Sequence, residues 1–338
     1  MLAARTLLDQ DIEVVGITFI SSFFGAKRGL EAAKKLGIPL IAFNIAEKHL
    51  AMVKSPKNGY GKNMNPCIDC HAMMLAEAKE IMEGKEVVWV YPDGRPKAVA
   101  QKFDFVATGE VLGQRPMSQN PRALKLVAKI ADLEGLLVRP LCAKLLDVTT
   151  PEKEGKIDRE RLLDINGRSR SRQVELAAHY NITDYPSPAG GCLLTVPEYS
   201  DKLYELFQLW PNCENIDAEL IKQGRVHWMK LNDEPVLLVV ARDEAEGTQL
   251  EKLAKIGGGT VIDLVDVLGP TAVLKLHGKA LTNQDFEIAV EVPRELKVAD
   301  LPRKFTSAKE MLDFVALLVG YYSTKARGLN IKVEFKVK

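Results

Sequence analysis

Two cysteines three apart in Asn65-Pro66-Cys67-Ile68-Asp69-Cys70-His71, and a third at Cys192 behind Pro188-Ala189-Gly190-Gly191, set the chemistry open to this chain. Cysteines kept for packing usually lie inside apolar runs. Here Pro66 and the Gly190-Gly191 pair place the thiols on bent, accessible backbone, where sulfur binds metal or reacts. Three thiolates suit a cubane iron–sulfur cluster with one iron left open, or a zinc site if His71 supplies a fourth ligand. The same Cys-x-x-Cys spacing also suits a redox dithiol, a persulfide-forming pair or a purely structural role. Cys142, in Pro140-Leu141-Cys142-Ala143, reads as a core residue, and Cys213, after Pro211-Asn212, as a loop residue.

Two further constellations carry polar chemistry. Thr108-Gly109-Glu110 and Gly113-Gln114-Arg115-Pro116-Met117-Ser118-Gln119-Asn120 follow a strand-like run, at the sheet edge where ligands of open parallel sheets collect. Small residues beside Arg115 suit phosphate; the plainer reading is a polar loop capping the helix that starts after Asn120. Gly167-Arg168-Ser169-Arg170-Ser171-Arg172 interleaves arginines with hydroxyls before a helix. That run suits an RNA backbone or a nucleotide's phosphates, and otherwise a solvated helix start. His179 and His277 lie in ordinary settings.

The elements that must position these groups alternate. Met1 to Leu8 has helical spacing, Ile12 to Phe19 is a β-branched strand, Lys27 to Leu36 an amphipathic helix stopped by Gly37, and Pro39 to Asn44 a buried strand. A polar loop, Ser55 to Pro66, leads to a helix from about Asp69 to Met82. A hairpin around Pro92-Asp93-Gly94, a strand over Phe103 to Gly109, a helix over Pro121 to Leu133 and a strand over Leu136 to Pro140 follow. Asp158 to Ile165 and Ser171 to His179 read as helical. Such alternation implies an α/β fold with a parallel sheet. Pro197 to Pro211 reads as a helix bridging two domains. Beyond Gly224 the pattern turns β-rich, with strands over 226–231, 235–241, 260–264, 271–275 and 331–337 and a helix from Ser307 to Lys325.

At 338 residues, 46% of them hydrophobic, the chain is long enough for two cores. Lys+Arg 46 against Asp+Glu 45 leaves a net charge of +1, so any affinity for nucleic acid must come from local patches. Five cysteines, an odd number and unevenly spaced, fit a reducing cytoplasm better than a disulfide framework. No secretory signal opens the chain, and no apolar run reaches bilayer length, so a soluble protein without a membrane partner is expected.

Taken together, Asn65 to His71, Phe105 to Gln119, Gly167 to Arg170 and Tyr185 to Thr195 resemble the PP-loop ATP-pyrophosphatase family that thiolates tRNA, akin to 2-thiouridylases and 4-thiouridine synthetases. The resemblance covers about residues 1–200. It implies a parallel-sheet nucleotide-hydrolase-like domain that adenylates a uridine oxygen with ATP and Mg2+ and then receives sulfur from a donor. Cys67, Cys70 and Cys192 match the ligand positions of the branch carrying a [4Fe-4S] cluster. Thr18, Phe19, Thr108, Gly109, Gln114 and Arg115 match the nucleotide site, and Arg168 and Arg170 would touch RNA. Members of that family begin with a strand and a Ser-Gly-Gly-x-Asp-Ser phosphate loop. Met1 falls inside the helix after it, so the resemblance implies a loop and a central strand ahead of Met1, or else a degenerate, non-catalytic RNA-binding member. A helix-first arrangement would leave an unpaired edge inside the sheet.

Residues 215–338 resemble an RNA-binding α+β domain, that of NFACT proteins, on Arg225 to Trp228, Val236 to Glu244, Asp266 to Val273 and Tyr321 to Arg327, departing at Ile262 to Val265. From the residues alone, Arg303, Lys304, Lys325 and Arg327 suit a phosphate-contacting patch or, more plainly, a solvated helix end; tRNA is the expected partner. A sulfurtransferase acting on a small molecule is the remaining alternative.

Overall fold

In the computed structural model, residues 1–185, 192–277, 284–298 and 302–338 are described. The chain divides into Met1–Val196 and Pro197–Lys338.

Unit 1 runs α1 (Leu2–Leu8), β1 (Gly16–Ile20), α2 (Lys27–Leu36), β2 (Leu40–Asn44), α3 (Ala46–Lys54), α4 (Cys67–Met82), β3 (Val87–Val90), β4 (Pro96–Val99), β5 (Val106–Ala107), α5 (Pro121–Ile130), β6 (Leu137–Val138), α6 (Thr150–Lys153) and α7 (Ser171–His179). Local chemistry sets several ends. Gly37 closes α2 at φ +71°, a left-handed position that glycine tolerates without strain. Asn120 caps α5 by accepting the Ala123 N–H at 2.9 Å, with Pro121 at the first helical position.

The strands form two sheets. β1 and β2 pair in parallel and continue antiparallel through β3 to β4, while β5 pairs in parallel with β6 alone. Gly16 N–H donates to Pro39 O at 2.8 Å and Ile20 O accepts from Ile45 N–H at 2.9 Å, so alternate β1 residues face β2. Ile17 and Phe19 therefore turn their peptide groups the other way. In the second sheet Val106 and Thr108 donate to Leu136 O and Val138 O, which turns Phe105, Ala107 and Gly109 away from β6. Val15, Ile17, Phe105, Ala107 and Gly109 line one cleft of about 430 Å³ on the α1 side. A smaller cleft of about 150 Å³, reaching α4 through Ala78, Ile81 and Met82, continues it. Two outward-turned strand edges thus line one gap.

This gap accounts for the departures from the sequence reading. The strand expected over Ile12 to Phe19 is laddered only from Gly16, and the one over Phe103 to Gly109 only at Val106–Ala107, because each is paired on one side. Asp158 to Ile165 is one short 3-10 turn, Arg159–Arg161, not a helix: the Asp158 carboxylate takes the Glu160 N–H at 2.9 Å, and Ile157 and Leu162 are buried on either side. α3 and, later in the chain, the helices Asn215–Leu220 and Glu244–Gly257 and the strand Phe286–Glu291 were not anticipated.

Unit 2 comprises α8 (Pro197–Leu209), α9 (Asn215–Leu220), β7 (Arg225–Leu231), β8 (Glu234–Val240), α10 (Glu244–Gly257), β9 (Thr260–Leu264), β10 (Ala272–Leu276), β11 (Phe286–Glu291), β12 (Lys304–Phe305), α11 (Ala308–Tyr322) and β13 (Asn330–Val337). Among the described residues seven strands join in one sheet, ordered β11-β13-β9-β10-β8-β7-β12. Asn232 and Asp233, at φ +49° and +65°, make the two-residue turn between β7 and β8, where two positive φ values match strand twist. Val236, Leu238 and Val240 pack with Met311, Val315 and Val319 of α11, and Leu237 and Val239, on the opposite face, are also buried. β8 is therefore covered on both faces.

Among the described residues, no helix is long and apolar enough to cross a membrane.

Candidate thiol and nucleotide site

Cys67 and Cys70 occupy the first turn of α4. The loop before the helix is held down by Asp69, whose carboxylate accepts the Asn58 backbone N–H and side-chain amide, each at 2.8 Å. Two tethers bring the distant Cys192 segment here. Asn63 Nδ2 donates to Thr195 O at 2.8 Å, and Leu193 N–H reaches Phe23 O at 3.5 Å in the turn after β1. Thr195 Oγ1 then folds back on Cys192 O at 2.7 Å. The Gly190-Gly191 turn expected before Cys192 lies outside the described residues.

The three sulfurs act on one another electrostatically. Burial pushes the Cys70 thiol well above the usual range, and the neighbouring Cys192, Cys67 and Asp69 charges push it further. Burial likewise raises Cys67 and Cys192, with the Arg115 guanidinium opposing the rise at both. Without a compensating cation these groups remain thiols, and among the described residues no three or more His, Cys, Asp or Glu side chains close into a metal cage. Cysteines at 67, 142 and 192 are all free of disulfides, as are Cys70 and Cys213. Cys142 is a core residue, while Cys213, expected as a loop residue, is buried too.

Cys70 has a second neighbour. His49 of α3 is fully buried, its ring 5.2 Å from both Phe23 and Phe24, and its Nε2 lies 3.3 Å from Cys70 Sγ. Burial lowers its pKa to about 4, so the ring is neutral at pH 7.

A buried ionic network joins the cysteine helix to the loop after β5. Glu110 Oε1 meets His71 Nδ1 at 3.2 Å, and its Oε2 accepts from Arg139 Nε at 2.9 Å and Thr108 Oγ1 at 3.1 Å. Arg139 also donates to Leu124 O at 3.0 Å. Burial alone would raise the Glu110 carboxyl, but hydrogen bonds and charge from His71 and Arg139 outweigh it and hold the pKa at about 2. His71, the candidate zinc ligand, is committed through Nδ1 to this carboxylate.

Beside the network opens a cavity of about 590 Å³, with Arg28, Lys35, Arg115 and Arg170 on its wall together with Gly109 and Gln114. Four cations against Glu31 and Asp184 favour an anionic ligand. Arg115 belongs to both places: it lines this cavity, and its charge acts on Cys67 and Cys192.

Of the residues matched to the nucleotide site, Gly109, Gln114 and Arg115 meet in this cavity, and Arg170 joins them from the arginine run expected to touch RNA. Thr108 lines the neighbouring cleft instead. Thr18 and Phe19 sit on β1, Thr18 packed so tightly under α2 that a Cβ on Gly29 would fall 2.6 Å from it, and Phe19 edge-on to Phe43. Neither is on the cavity wall. Arg168 is exposed, and Arg172 pairs with Asp164 at 2.5 Å. Sequence reasoning gave no role to Glu110, Arg139 or His49. An arginine inside the apolar run Leu136 to Pro140 was the one available signal; His49 offered none.

Comparison of the chain with family models, with curated proteins and with solved structures gives no match. The functional reading therefore stands on geometry.

Proposed function

We propose that this protein takes part in ATP-dependent thiolation of a uridine in tRNA. The observation that carries the reading is the double placement of Arg115, on the wall of a basic, nucleotide-sized cavity and within electrostatic reach of two converging thiols. In this reading the uridine carbonyl oxygen attacks the α-phosphate of ATP, pyrophosphate leaves with Mg2+, and incoming sulfide displaces AMP. Arg28, Lys35 and Arg170 bind the phosphates, and Arg115 offsets the negative charge that gathers between phosphate and sulfur. Gly109 lets the nucleotide approach the backbone closely.

The donor set of three soft thiols, tethered from two remote segments, fits a [4Fe-4S] cluster held by Cys67, Cys70 and Cys192. Such a group, when bound by these three thiolates, would supply an open iron site for the donated sulfide. The Glu110–His71–Arg139 network fixes α4 against the loop bearing Arg115, so the sulfur and phosphate ends keep their register. The cleft between β1 and β5 has the two outward-turned edges that a central parallel strand requires, and in this reading a further strand, with a phosphate-binding turn at its carboxyl end, occupies it. The divided sheet favours one other reading, an RNA-binding protein without turnover, should no strand enter.

The test is genetic. Disrupting the gene should remove one thiolated nucleoside from bulk tRNA, measured by mass spectrometry, and the intact gene but not its Cys192→Ser form should restore it. An unchanged nucleoside profile contradicts the proposal.

A further inference from the structure

Each of the three converging sulfurs meets an N–H group. The Asn65 side-chain amide and the Cys67 backbone N–H donate to the Cys67 sulfur, and the Leu194 backbone N–H donates to that of Cys192. At Cys70 the group in this position is His49, whose Nε2 lies 3.3 Å from Sγ. Donors of this kind orient and tune sulfur that is bound to metal.

His49 is placed by backbone and packing. In the first turn of α3 the Asn44 side chain accepts the Ala46 N–H at 2.9 Å, and the His49 N–H donates to Ile45 O at 2.8 Å. The ring is fully buried against Phe23 and Phe24, and its Nδ1 has no hydrogen-bond partner. An unpaired buried polar atom is destabilising, and leucine or phenylalanine would fill the same space without one. Phe23 has a second contact: its carbonyl takes the Leu193 N–H at 3.5 Å, beside Cys192. One aromatic turn thus holds both the Cys192 segment and the ring that meets Cys70.

The state of the sulfur decides the direction of the Cys70 contact. A thiol can give its proton to Nε2. Sulfur bound to metal has lost that proton and can only accept, so the contact then requires a hydrogen on Nε2, whether or not Nδ1 carries one too. With His49 fully buried and Cys70 7% exposed, solvent does not compete for the bond.

We propose that His49 is a positioning residue for the metal-bound site, donating Nε2–H to Cys70 Sγ and drawing charge from it so that the cluster is more readily reduced. The proposal rests on the three-cysteine reading for the metal and adds a fourth side chain to it, one that is not a ligand.

The full chain, reconstituted anaerobically with iron and sulfide, is titrated with dithionite while the reduced signal is followed by electron paramagnetic resonance. His49→Leu keeps most of the volume and loses the donor, whereas His49→Gln keeps an N–H. His49→Leu should lower the midpoint potential by ~59 mV, a tenfold change in the one-electron equilibrium, and His49→Gln should recover part of it. In heavy water the parent's reduced signal should show a coupled, exchangeable deuteron that His49→Leu lacks. A His49→Leu chain with the parent's potential and deuteron coupling would overturn the proposal and leave the cluster standing. Should His49→Leu lose its iron, the parent decides: no coupled deuteron on the reduced cluster overturns the proposal. For a chain that assembles no cluster, Co2+ alone is the probe. Its thiolate-to-cobalt band should move to lower energy in His49→Leu, because the hydrogen bond stabilises the sulfur electrons; that shift upholds the role of His49 and contradicts the cluster. A band that does not move, or a chain that binds neither metal, overturns both.

Discussion

The two units handle strand edges in opposite ways. Among the described residues of unit 2, seven strands share one sheet, and a large cluster joins residues of β8, β9, β10, β13 and α11. In unit 1 two short sheets turn edges into a gap, and the apolar side chains fall into smaller separate clusters, such as those around Leu133, Val138 and Trp89. The candidate chemistry lies in the unit whose sheet is divided. Such a division is costly where peptide groups go unpaired, so the account expects unit 1 to be the less stable and the more responsive to ligand.

Hydrogen exchange tests that contrast most strongly. Amides of β8 and β10 should exchange only on global unfolding, about 10⁴-fold more slowly than those of Ile17 and Ala107. Similar protection in both units would break the comparison. Next in size is the buried carboxylate of unit 1. Glu110→Ala leaves the Arg139 guanidinium, 7% exposed, without its partner, and should lower the stability of unit 1 by roughly 3–5 kcal/mol with no change in unit 2, read by denaturant unfolding.

The same carboxylate gives a pH signature. Its folded pKa, about 2, lies below its unfolded value, so its stabilisation is complete above pH ~4.5 and disappears as the pH falls toward 2. The loss should be on the order of 3 kcal/mol, and Glu110→Gln should flatten it. Unit 2 carries a site of comparable size whose protonated form is the charged one. His227 is buried neutral, with a folded pKa of about 4 against an ordinary 6.5, so the unfolded chain gains the proton first and unit 2 loses stability as the pH drops through that window. His227→Gln should remove this slope, which lies at higher pH than that of Glu110, in acid titrations followed by tryptophan fluorescence. An unchanged slope would show that the ring is not what senses pH there.

Much of unit 2 was legible because its strands are long, β-branched and bounded by turn residues, as at Asn232-Asp233 between β7 and β8. Helices α2 and α5 of unit 1 were legible too, since they carry amphipathic spacing with Gly37 and Asn120 at their ends, whereas α3 was not. Strand limits in unit 1 were not. Ile12 to Val15 has the composition of a strand, yet a ladder needs a neighbour, and composition says nothing about whether one is there. At the site, the cysteine motif announced itself through Pro66 and its spacing. Its partners did not, because Glu110, Arg139 and His49 become meaningful only when burial and distance bring them to His71 and Cys70. The Arg–Tyr stacks of unit 2 were half visible. Arg303 and Arg327 stood out as cations, whereas the stacking of Arg225 over Tyr322 and of Arg327 over Tyr321 depends on distances that only the structure supplies.

The most direct test of the sulfur chemistry is the iron and acid-labile sulfide content of the anaerobically reconstituted chain, with its Cys67→Ser, Cys70→Ser and Cys192→Ser forms alongside. The account predicts about four irons and four sulfides per chain, lost in each of the three variants. Tightly bound zinc in place of iron, or a Cys192→Ser form that keeps its full complement, would contradict it.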